Sequence, residues 1–302
     1  MRSPLPPVLI ALVVATGTQR PAPPQEEATG GGPDIYLAPL AVRGEELTIG
    51  HPLDITPRPG YDDQPSFTPD GGSILYASVL GDGQADIFRY DIRAKISRRI
   101  TRTPESEYSP VVMPGGFGIS AVRVERDSTQ RLWRFALDGS NPAPLLEDVK
   151  KVGYYAWADD HTVVLYLLGP PPVLARADPA TEQVLPVLEN PGRSIQPIPG
   201  DRAVSFIRKR QPGESWVMRY DLTTGNFTPL VRTLPGVEDH AWTPDGILLA
   251  AHDNRVYAWR ANWGGWRQVA TFPDPAMARI TRIAVSPHGD WIALVAEPAP
   301  AP

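Results

Sequence analysis

Short apolar runs separated by polar turn residues recur along the chain. The clearest copy begins at Gln64 with Q-P-S-F-T-P-D-G-G-S-I-L-Y-A-S, continues with D-I-F-R-Y-D-I at Asp86–Ile92, and closes with R-R-I-T at Arg98–Thr101. Each half carries a turn signal, which is Asp-Gly in the first half and a polar break in the second. The unit therefore predicts four short antiparallel strands, a sheet that cannot bury both of its faces alone.

The turn after the first predicted strand returns at intervals of 40 to 45 residues. It falls at Pro69, Pro114, Asp159, Pro199, Pro244 and Pro287. This period, with four strands per unit, is typical of a β-propeller, in which the units stack radially and bury each other's faces. A solenoid of helix pairs can have a similar period, but 36 prolines and frequent alternation of apolar and polar residues argue against helices.

The two ends of the repeat array complement each other. The last unit, Ile280 to Val295, supplies only two strands, and the missing half is found near the start of the chain. There, Asp34–Leu40 matches the third strand of the unit and Pro52–Thr56 matches the fourth. The sequence therefore predicts an all-β protein, a six-bladed β-propeller of four-stranded antiparallel blades whose last blade is completed by N-terminal strands, which closes the ring and removes its free edges.

Aromatic residues recur at matching strand positions, among them Trp157 and Trp242. Their repetition favours packing between twisted blades, where a large apolar ring can be buried. A platform for stacking sugars or bases is the alternative.

Charge and cysteine content exclude some classes of partner and of chemistry. The formal net charge of −5 is too mild for a nucleic-acid-binding surface, which needs a basic stripe. The chain has no cysteine, so disulfides and thiol chemistry are excluded.

The N-terminal region resembles an export signal. Arg2 precedes the apolar run Val8–Ala15, and small residues follow this run, which is too short to span a bilayer. We predict a signal peptide over 1–17, a Pro/Gly-rich linker over 18–33, the propeller over 34–297 and a Pro/Ala tail over 298–302. Periplasmic or secreted location follows, without a membrane span. An apolar start of a cytosolic protein is the alternative.

The repeat at Gln64–Thr101 resembles the WD40-like repeat of TolB-type propellers, and similar repeats occur in the propellers of prolyl oligopeptidase and dipeptidyl peptidase enzymes. The resemblance covers about Asp34 to Glu297 and is weakest at Val152–Leu188, where W-A-D-D-H replaces the usual Pro-Asp-Gly turn. It implies a six-bladed ring, a periplasmic location and a role in protein contact. We expect the propeller part only, with neither the N-terminal α/β domain of TolB nor a hydrolase domain.

Catalytic motifs are absent from the sequence. There is no G-x-S-x-G nucleophile elbow and no H-E-x-x-H among the scattered histidines. Gly81–Asp86 weakly resembles a calcium loop, but it lacks the acidic ligand series and the bidentate Glu. We therefore predict no metal site and no cofactor.

Polar or aromatic segments precede the innermost strand of each blade. In a propeller such segments converge at the mouth of the central channel, and converging polar groups in a concavity are a candidate binding site. The alternative is that they cap strand ends and stay hydrated. The candidate mouth residues are Asp62, Asp63, Glu105, Glu107, Tyr108, Tyr154, Arg193, Glu238, Asp239, His240 and Arg279.

Three classes of function fit this sequence. The first is an exported, non-catalytic and monomeric propeller that binds a protein or peptide partner through its channel face. The second is a propeller enzyme of lactonase, glycosidase or lyase type, using channel carboxylates or a metal. The third is a sensor or inhibitor of a partner hydrolase. Because a propeller hosts many functions, the fold alone does not choose among them.

Overall fold

The computed structural model describes residues 32–81, 83–211 and 213–300. The predicted signal peptide and most of the predicted linker lie outside this part of the chain. Within it, 25 β-strands and two short 3₁₀ segments form six antiparallel sheets, which confirms the predicted all-β propeller of six blades. No helix in the described residues is long and apolar enough to cross a membrane.

Five blades are continuous in sequence, and each runs from the first strand at the channel to the fourth at the rim. Blade 1 comprises β4 (Tyr61–Phe67), β5 (Ser73–Val79), β6 (Ala85–Asp91) and β7 (Ile96–Arg99). Blade 2 comprises β8 (Ser106–Val112), β9 (Ile119–Val124), β10 (Gln130–Phe135) and β11 (Ala143–Pro144). Blade 3 comprises β12 (Val152–Trp157), β13 (Val163–Leu167), β14 (Val173–Asp178) and β15 (Gln183–Glu189).

Blade 4 comprises β16 (Pro191–Pro197), β17 (Ala203–Gln211), β18 (Glu214–Asp221) and β19 (Phe227–Arg232). Blade 5 comprises β20 (Ala241–Trp242), β21 (Leu248–His252), β22 (Arg255–Trp259) and β23 (Arg267–Thr271). Blade 6 is composite, with β24 (Arg279–Val285) and β25 (Trp291–Glu297) from the C-terminal region, and β1 (Asp34–Arg43), β2 (Glu46–Ile49) and β3 (Leu53–Asp54) from the N-terminal region. The 3₁₀ segments are Pro114–Gly116 and Pro275–Met277.

The ring closes in the predicted way, because β1 pairs antiparallel with β25, from Asp34 opposite Ala296 to Pro39 opposite Trp291. The predicted fourth strand of this blade is short, since only Leu53 and Asp54 pair with β1. The sequence interpretation missed a hairpin, in which β2 pairs with the second half of β1. The outer position of blade 6 is therefore shared by β2 and β3.

The core lies between the blades. The buried apolar side chains of the described residues form six clusters, and each spans two neighbouring blades. At the closure, Ile35 and Val295 of blade 6 pack with Ile74 and Tyr76 of blade 1. Each blade thus buries its faces against its neighbours, as the repeat predicts.

The weakest repeat still forms a blade. At its first turn, Asp159 accepts a hydrogen bond from the backbone nitrogen of His161 at 2.9 Å, which replaces the local order that Pro-Asp-Gly gives elsewhere. Glycine is required in the blade 2 turn at Gly139, where φ is +83° and a Cβ would lie 2.2 Å from the carbonyl oxygen of Ile100. This turn presses against blade 1.

Candidate functional site

The channel is lined by the first strands of the blades. The sequence interpretation placed the candidate residues in loops before these strands, and this is wrong for seven of the eleven. Asp62, Asp63, Glu107, Tyr108, Tyr154, Arg193 and Arg279 lie within first strands, and Glu105, Glu238, Asp239 and His240 precede them. Successive side chains of a strand point to opposite faces, so adjacent candidates have different environments.

Irregular pairing redirects several of these side chains. The register of β4 shifts between Asp63 and Ser66, and equivalent shifts occur in β8, β12, β16 and β24. Gln64 adopts a φ of 60° at the shift in β4, and its Oε1 accepts a hydrogen bond from the Ser109 nitrogen of blade 2 at 2.6 Å. A bulge re-aims side chains and disrupts pairing locally. Here it brings polar groups toward the channel.

Four side chains from four blades meet near the channel axis, and we call them the axial cluster: Asp63, Tyr154, Asp239 and Arg282. Arg282 Nε lies 2.8 Å from Asp63 Oδ1, and its Nη1 lies 3.7 Å from Asp239 Oδ2. Its Nη2 donates to the Tyr154 hydroxyl at 3.4 Å. Arg282 is only 12% exposed, so these contacts bind a largely dehydrated cation. The cluster joins blades 1, 3, 5 and 6.

Neighbouring groups fix the two carboxylates of the axial cluster. The Tyr61 hydroxyl donates to Asp63 Oδ2 at 2.8 Å, and the backbone nitrogen of Ile283 donates to Asp239 Oδ1 at 3.2 Å. Burial raises the pKa of Asp239 to about 6, although the charges of Arg282 and Arg193 act to lower it. At neutral pH Asp239 and Arg282 are therefore both charged.

Arg193 of blade 4 lies beside the axial cluster and differs from Arg282 in its pairing. Its Nη2 donates to the carbonyl oxygen of Thr281 across the channel at 3.3 Å. Its Nε is buried and has no hydrogen-bond partner, and within the described residues its guanidinium forms no ion pair at contact distance.

Two cavities open on opposite sides of the axial cluster. The proline-side cavity, of about 460 Å³, is lined by the ends of the first strands and the turns that follow them, including Trp157, Pro197, Trp242, Pro244 and Pro287. The loop-side cavity, of about 450 Å³, is lined by the segments that lead into β20 and β24 and by Asp63. Arg193, Asp239 and Arg282 contribute to both cavities. The axial cluster therefore divides the channel.

The structure brings only part of the predicted mouth together. Asp63, Arg193, Glu238, Asp239 and Arg279 line the loop-side cavity, and Tyr154 lines the proline-side cavity. At the loop-side rim, Glu238 pairs with Lys209 and Arg279 pairs with Glu297, and all four side chains are substantially exposed. Tyr108 is half-buried on β8, outside the lining of both cavities.

Four of the predicted mouth residues lie in blade interfaces and outside the lining of both cavities: Asp62, Glu105, Glu107 and His240. Asp62 is fully buried and its Oδ1 accepts from Arg58 Nη2 at 2.6 Å; burial raises the pKa of this carboxyl to about 6. Glu107 is fully buried, with its Oε1 3.1 Å from Arg123 Nε. Alternation along β4 and β8 sends these carboxylates away from the channel. Glu105 accepts from Arg123 Nη1 at 3.2 Å, so it also belongs to this interface.

His240 is the fourth of these residues, is fully buried, and belongs to a repeated contact between blades. Its Nε2 lies 2.7 Å from the Ser205 hydroxyl, which also accepts from Trp242 Nε1 at 2.8 Å. Burial lowers the pKa of His240 to about 3, so the ring is neutral.

The same arrangement occurs 85 positions earlier in the sequence. There the Ser120 hydroxyl lies 2.9 Å from the Tyr155 hydroxyl and 2.9 Å from Trp157 Nε1. We call the two sets the serine bridges, one between blades 2 and 3 and one between blades 4 and 5. They also explain the tryptophans: each packs in an interface, as the sequence predicts, and each lines the proline-side cavity.

The described residues contain no group of three or more His, Asp or Glu side chains placed to hold a metal ion. In the segment that weakly resembles a calcium loop, Asp86 instead pairs with Arg99. The channel thus offers ion-paired carboxylates, an arginine without an ion pair, and an apolar wall on one side.

Comparison with known proteins supports the fold. No model of a known protein family matches this sequence. A structure described as a TolB from Agrobacterium tumefaciens is similar with a TM-score of 0.67 and 13% identity, over 88% of this chain and 99% of that chain. A chain of the nidogen/laminin complex is similar with a TM-score of 0.63 and 12% identity, over 84% of this chain and 98% of that one.

An oligogalacturonate lyase in complex with manganese is similar with a TM-score of 0.56 and 14% identity, over 83% of this chain and 82% of that chain. Identities of this size show the shared architecture and not a shared activity. Together with the strand order, these likenesses identify the chain as a six-bladed β-propeller with a TolB-like fold.

Proposed function

We propose that this propeller is an exported, non-catalytic binding protein that takes a protein or peptide partner through its channel face. The observation that carries the proposal is the proline-side cavity, which combines an apolar wall of prolines and tryptophans with a charged floor. Binding sites typically combine a mostly apolar lining with a few placed polar groups. The likenesses to TolB and to a chain of the nidogen/laminin complex favour a protein partner.

The charged floor suits binding better than chemistry. Asp63 and Asp239 are both engaged by Arg282, so neither is a free base in this arrangement. The apolar wall can hold one side chain or a short extended segment of a peptide. The loop-side cavity offers a second, more polar contact surface on the other face.

A pair of substitutions at the rim of the proline-side cavity tests the proposal. Pro197 and Pro244 are exposed cavity residues, so Pro197→Glu with Pro244→Glu adds two carboxylates to the apolar opening with little effect on the core. We expect at least tenfold weaker retention of short random peptides on the immobilised protein, or about 1.4 kcal/mol. Surface plasmon resonance measures the retention.

Pro229→Glu is the matched control, because Pro229 is exposed on the rim strand β19 and lies outside both cavities. It should bind like the unmodified protein. Equal binding by the double variant and the control, with melting temperatures unchanged, would move the partner's site away from the proline side.

Export rests on the predicted signal peptide and on the resemblance to TolB-type repeats. Cell fractionation followed by N-terminal sequencing tests it, since an exported protein should begin near residue 18. A mature protein that still carries residues 1–17 in the cytoplasm would refute export and leave the binding proposal intact.

A second candidate is a propeller enzyme, which the likeness to the lyase and the state of Asp239 favour. A buried carboxyl with a pKa of about 6 can serve as a general acid or base near neutral pH. Assays on acidic oligosaccharides and on lactones separate the two functions: turnover that is lost in Asp239→Asn would favour the enzyme.

A further inference from the structure

Arg193 is a cation whose charge the surrounding protein leaves unpaired. Of the two arginines that line both cavities, Arg282 is held by Asp63 and Asp239, whereas Arg193 has one long hydrogen bond to a carbonyl oxygen. Its buried Nε lacks an acceptor. A partly dehydrated cation without a counter-ion at contact distance carries a free-energy cost, so the guanidinium of Arg193 leaves a position for an anion open beside its Nη nitrogens.

The nearby carboxylates of the described residues do not form an ion pair with Arg193 at contact distance. Asp239 feels Arg193, whose charge acts to lower the pKa of that carboxyl, but its oxygens are already engaged by Arg282 and by the Ile283 nitrogen. The guanidinium of Arg193 faces both cavities at the level of the axial cluster. A further anion can reach it only from a cavity.

The balance of charges around Arg193 selects the kind of anion. Arg193 and Arg282 face Asp63 and Asp239, so two positive charges lie beside two negative ones. One added negative charge is matched by the one guanidinium without an ion pair, whereas the second charge of a dianion would be unmatched and repelled by both aspartates. A carboxylate fits better than a phosphate, and its two oxygens match the nitrogen edge of a guanidinium.

We propose that the proline-side cavity recognises a carboxylate of its peptide partner through Arg193, with the apolar part of the same residue or its neighbour packed against Trp157 and Trp242. The carboxylate meets the Nη nitrogens, because Nε is buried. This inference rests on the proposed function and specifies the chemistry that the site reads. The carboxylate belongs either to a chain end or to an Asp or Glu side chain.

Three pools of fluorescently labelled short random peptides distinguish these sources. The first has free C-terminal carboxylates and contains no Asp or Glu, the second has amidated ends and one Asp or Glu, and the third has amidated ends and no acidic residue. Fluorescence polarisation should show at least tenfold tighter binding for the first or second pool than for the third, or about 1.4 kcal/mol. The tighter pool identifies the source.

Substitution of Arg193 locates the effect. In Arg193→Gln the preference for a carboxylate-bearing pool over the third pool should disappear. In Arg193→Lys part of this preference should remain, since lysine keeps the positive charge but lacks the paired N–H donors of the guanidinium. Arg134→Gln is the matched control, because Arg134 is exposed on β10 and lines neither cavity. It should keep the full preference.

The failures are distinguishable. Equal binding of all three pools by the unmodified protein overturns carboxylate recognition but leaves the proposed peptide binding intact. Absence of binding in all three pools overturns both. A preference that persists in Arg193→Gln places the carboxylate elsewhere. If Arg193→Gln does not fold, the three pools on the unmodified protein and Arg193→Lys decide the question.

Discussion

Arg282 shows how one residue can connect a ring of blades. It is held in blade 6 and contacts side chains of blades 1, 3 and 5 near the axis. Its one positive charge is shared by the two aspartates that converge on the channel. Loss of one partner from a buried charge pair leaves the other charge dehydrated and uncompensated.

Arg282→Gln is therefore expected to destabilise the fold. Without the guanidinium, Asp63 loses its ion pair and Asp239 keeps only the influence of Arg193, so the free energy of unfolding should fall by about 3 kcal/mol. Urea denaturation followed by tryptophan fluorescence measures it. Adding Asp63→Asn and Asp239→Asn to the variant should recover part of the loss.

Arg279→Gln is the matched comparison, because Arg279 also lies on β24 but pairs with Glu297 at the exposed rim. A surface pair of this kind contributes about 0–1 kcal/mol. Similar losses in the two variants would show that the axial cluster adds no more than a surface ion pair.

At this scale the sequence predicted which segments meet at the channel, but not which side chains face it. Asp62 and Asp63 are adjacent and chemically identical, yet one is buried between blades and the other binds Arg282. Both pair regularly with β5, so the alternation of side chains along β4 decides between them, and the sequence does not show which of the two alternating positions faces the channel. Arg282 was missed because the sequence interpretation placed the channel residues before the first strand, whereas Arg282 lies inside β24, next to its register shift.

The serine bridges operate at the scale of the element. In each, a serine on the second strand of one blade meets an aromatic or histidine side chain and a tryptophan on the first strand of the next. Their separation of 85 residues, two repeats, was visible in the sequence as the paired positions Trp157 and Trp242. The hydroxyl partners were not, because serine is common at strand positions of every kind.

Ser205→Ala should weaken the contact between blades 4 and 5. It leaves the buried His240 and the Trp242 indole without their shared partner, so we expect a loss of about 1–3 kcal/mol in the free energy of unfolding. Ser120→Ala should behave alike between blades 2 and 3. Ser140→Ala, on an exposed turn, is the control and should change stability by less than about 0.5 kcal/mol. A loss in Ser205→Ala no larger than in this control would contradict the role of the bridge.

Blade 6 marks the limit of prediction at this scale. The repeat signal located β1 because it resembles the third strand of other blades, and it located β3 by the P-L-D-I-T ending. The hairpin through β2 has no counterpart in the other units. A feature that does not repeat cannot be recognised from the repeat.

For the whole molecule, stability depends on the closure of the ring. All six apolar clusters of the described residues lie between blades, so the cluster around Ile35 and Val295 forms only when the two ends of the chain meet. This junction also gathers acidic groups: Asp34 accepts from the Thr56 hydroxyl at 3.4 Å, and Asp54 and Asp62 lie close enough to affect its charge. Arg58 is the neighbouring cation.

The junction makes stability depend on pH. Burial, followed by the charges of Asp54 and Asp62, raises the pKa of Asp34 from 3.8 to about 7, and burial raises those of Asp62 and Asp239 to about 6. A carboxyl with a raised pKa binds its proton more tightly in the folded state. Its stabilisation is complete below pH 4 and is lost as the pH rises through the folded-state value.

His240 acts in the opposite direction over a lower range. Its pKa falls from 6.5 to about 3 on folding, so its contribution to stability increases between pH 3 and pH 6.5 and is constant above that. Between pH 6.5 and 8 the contribution of His240 to stability no longer changes, so it does not offset the stability that is lost as Asp34 is deprotonated. We expect the melting temperature to decrease across this interval, and calorimetry at constant ionic strength measures it.

Asp34→Asn separates the junction from the rest of the molecule. The amide cannot ionise, so the decrease between pH 6.5 and 8 should become clearly smaller, whereas Asp239→Asn should alter mainly the slope near pH 6. If the two variants retain the slope of the unmodified protein, the closing junction does not set the pH response. A smaller slope in Asp34→Asn alone would show that the junction of β1 with β25 sets the pH response, and because no blade has a core of its own, this response should appear as one cooperative transition of the whole ring.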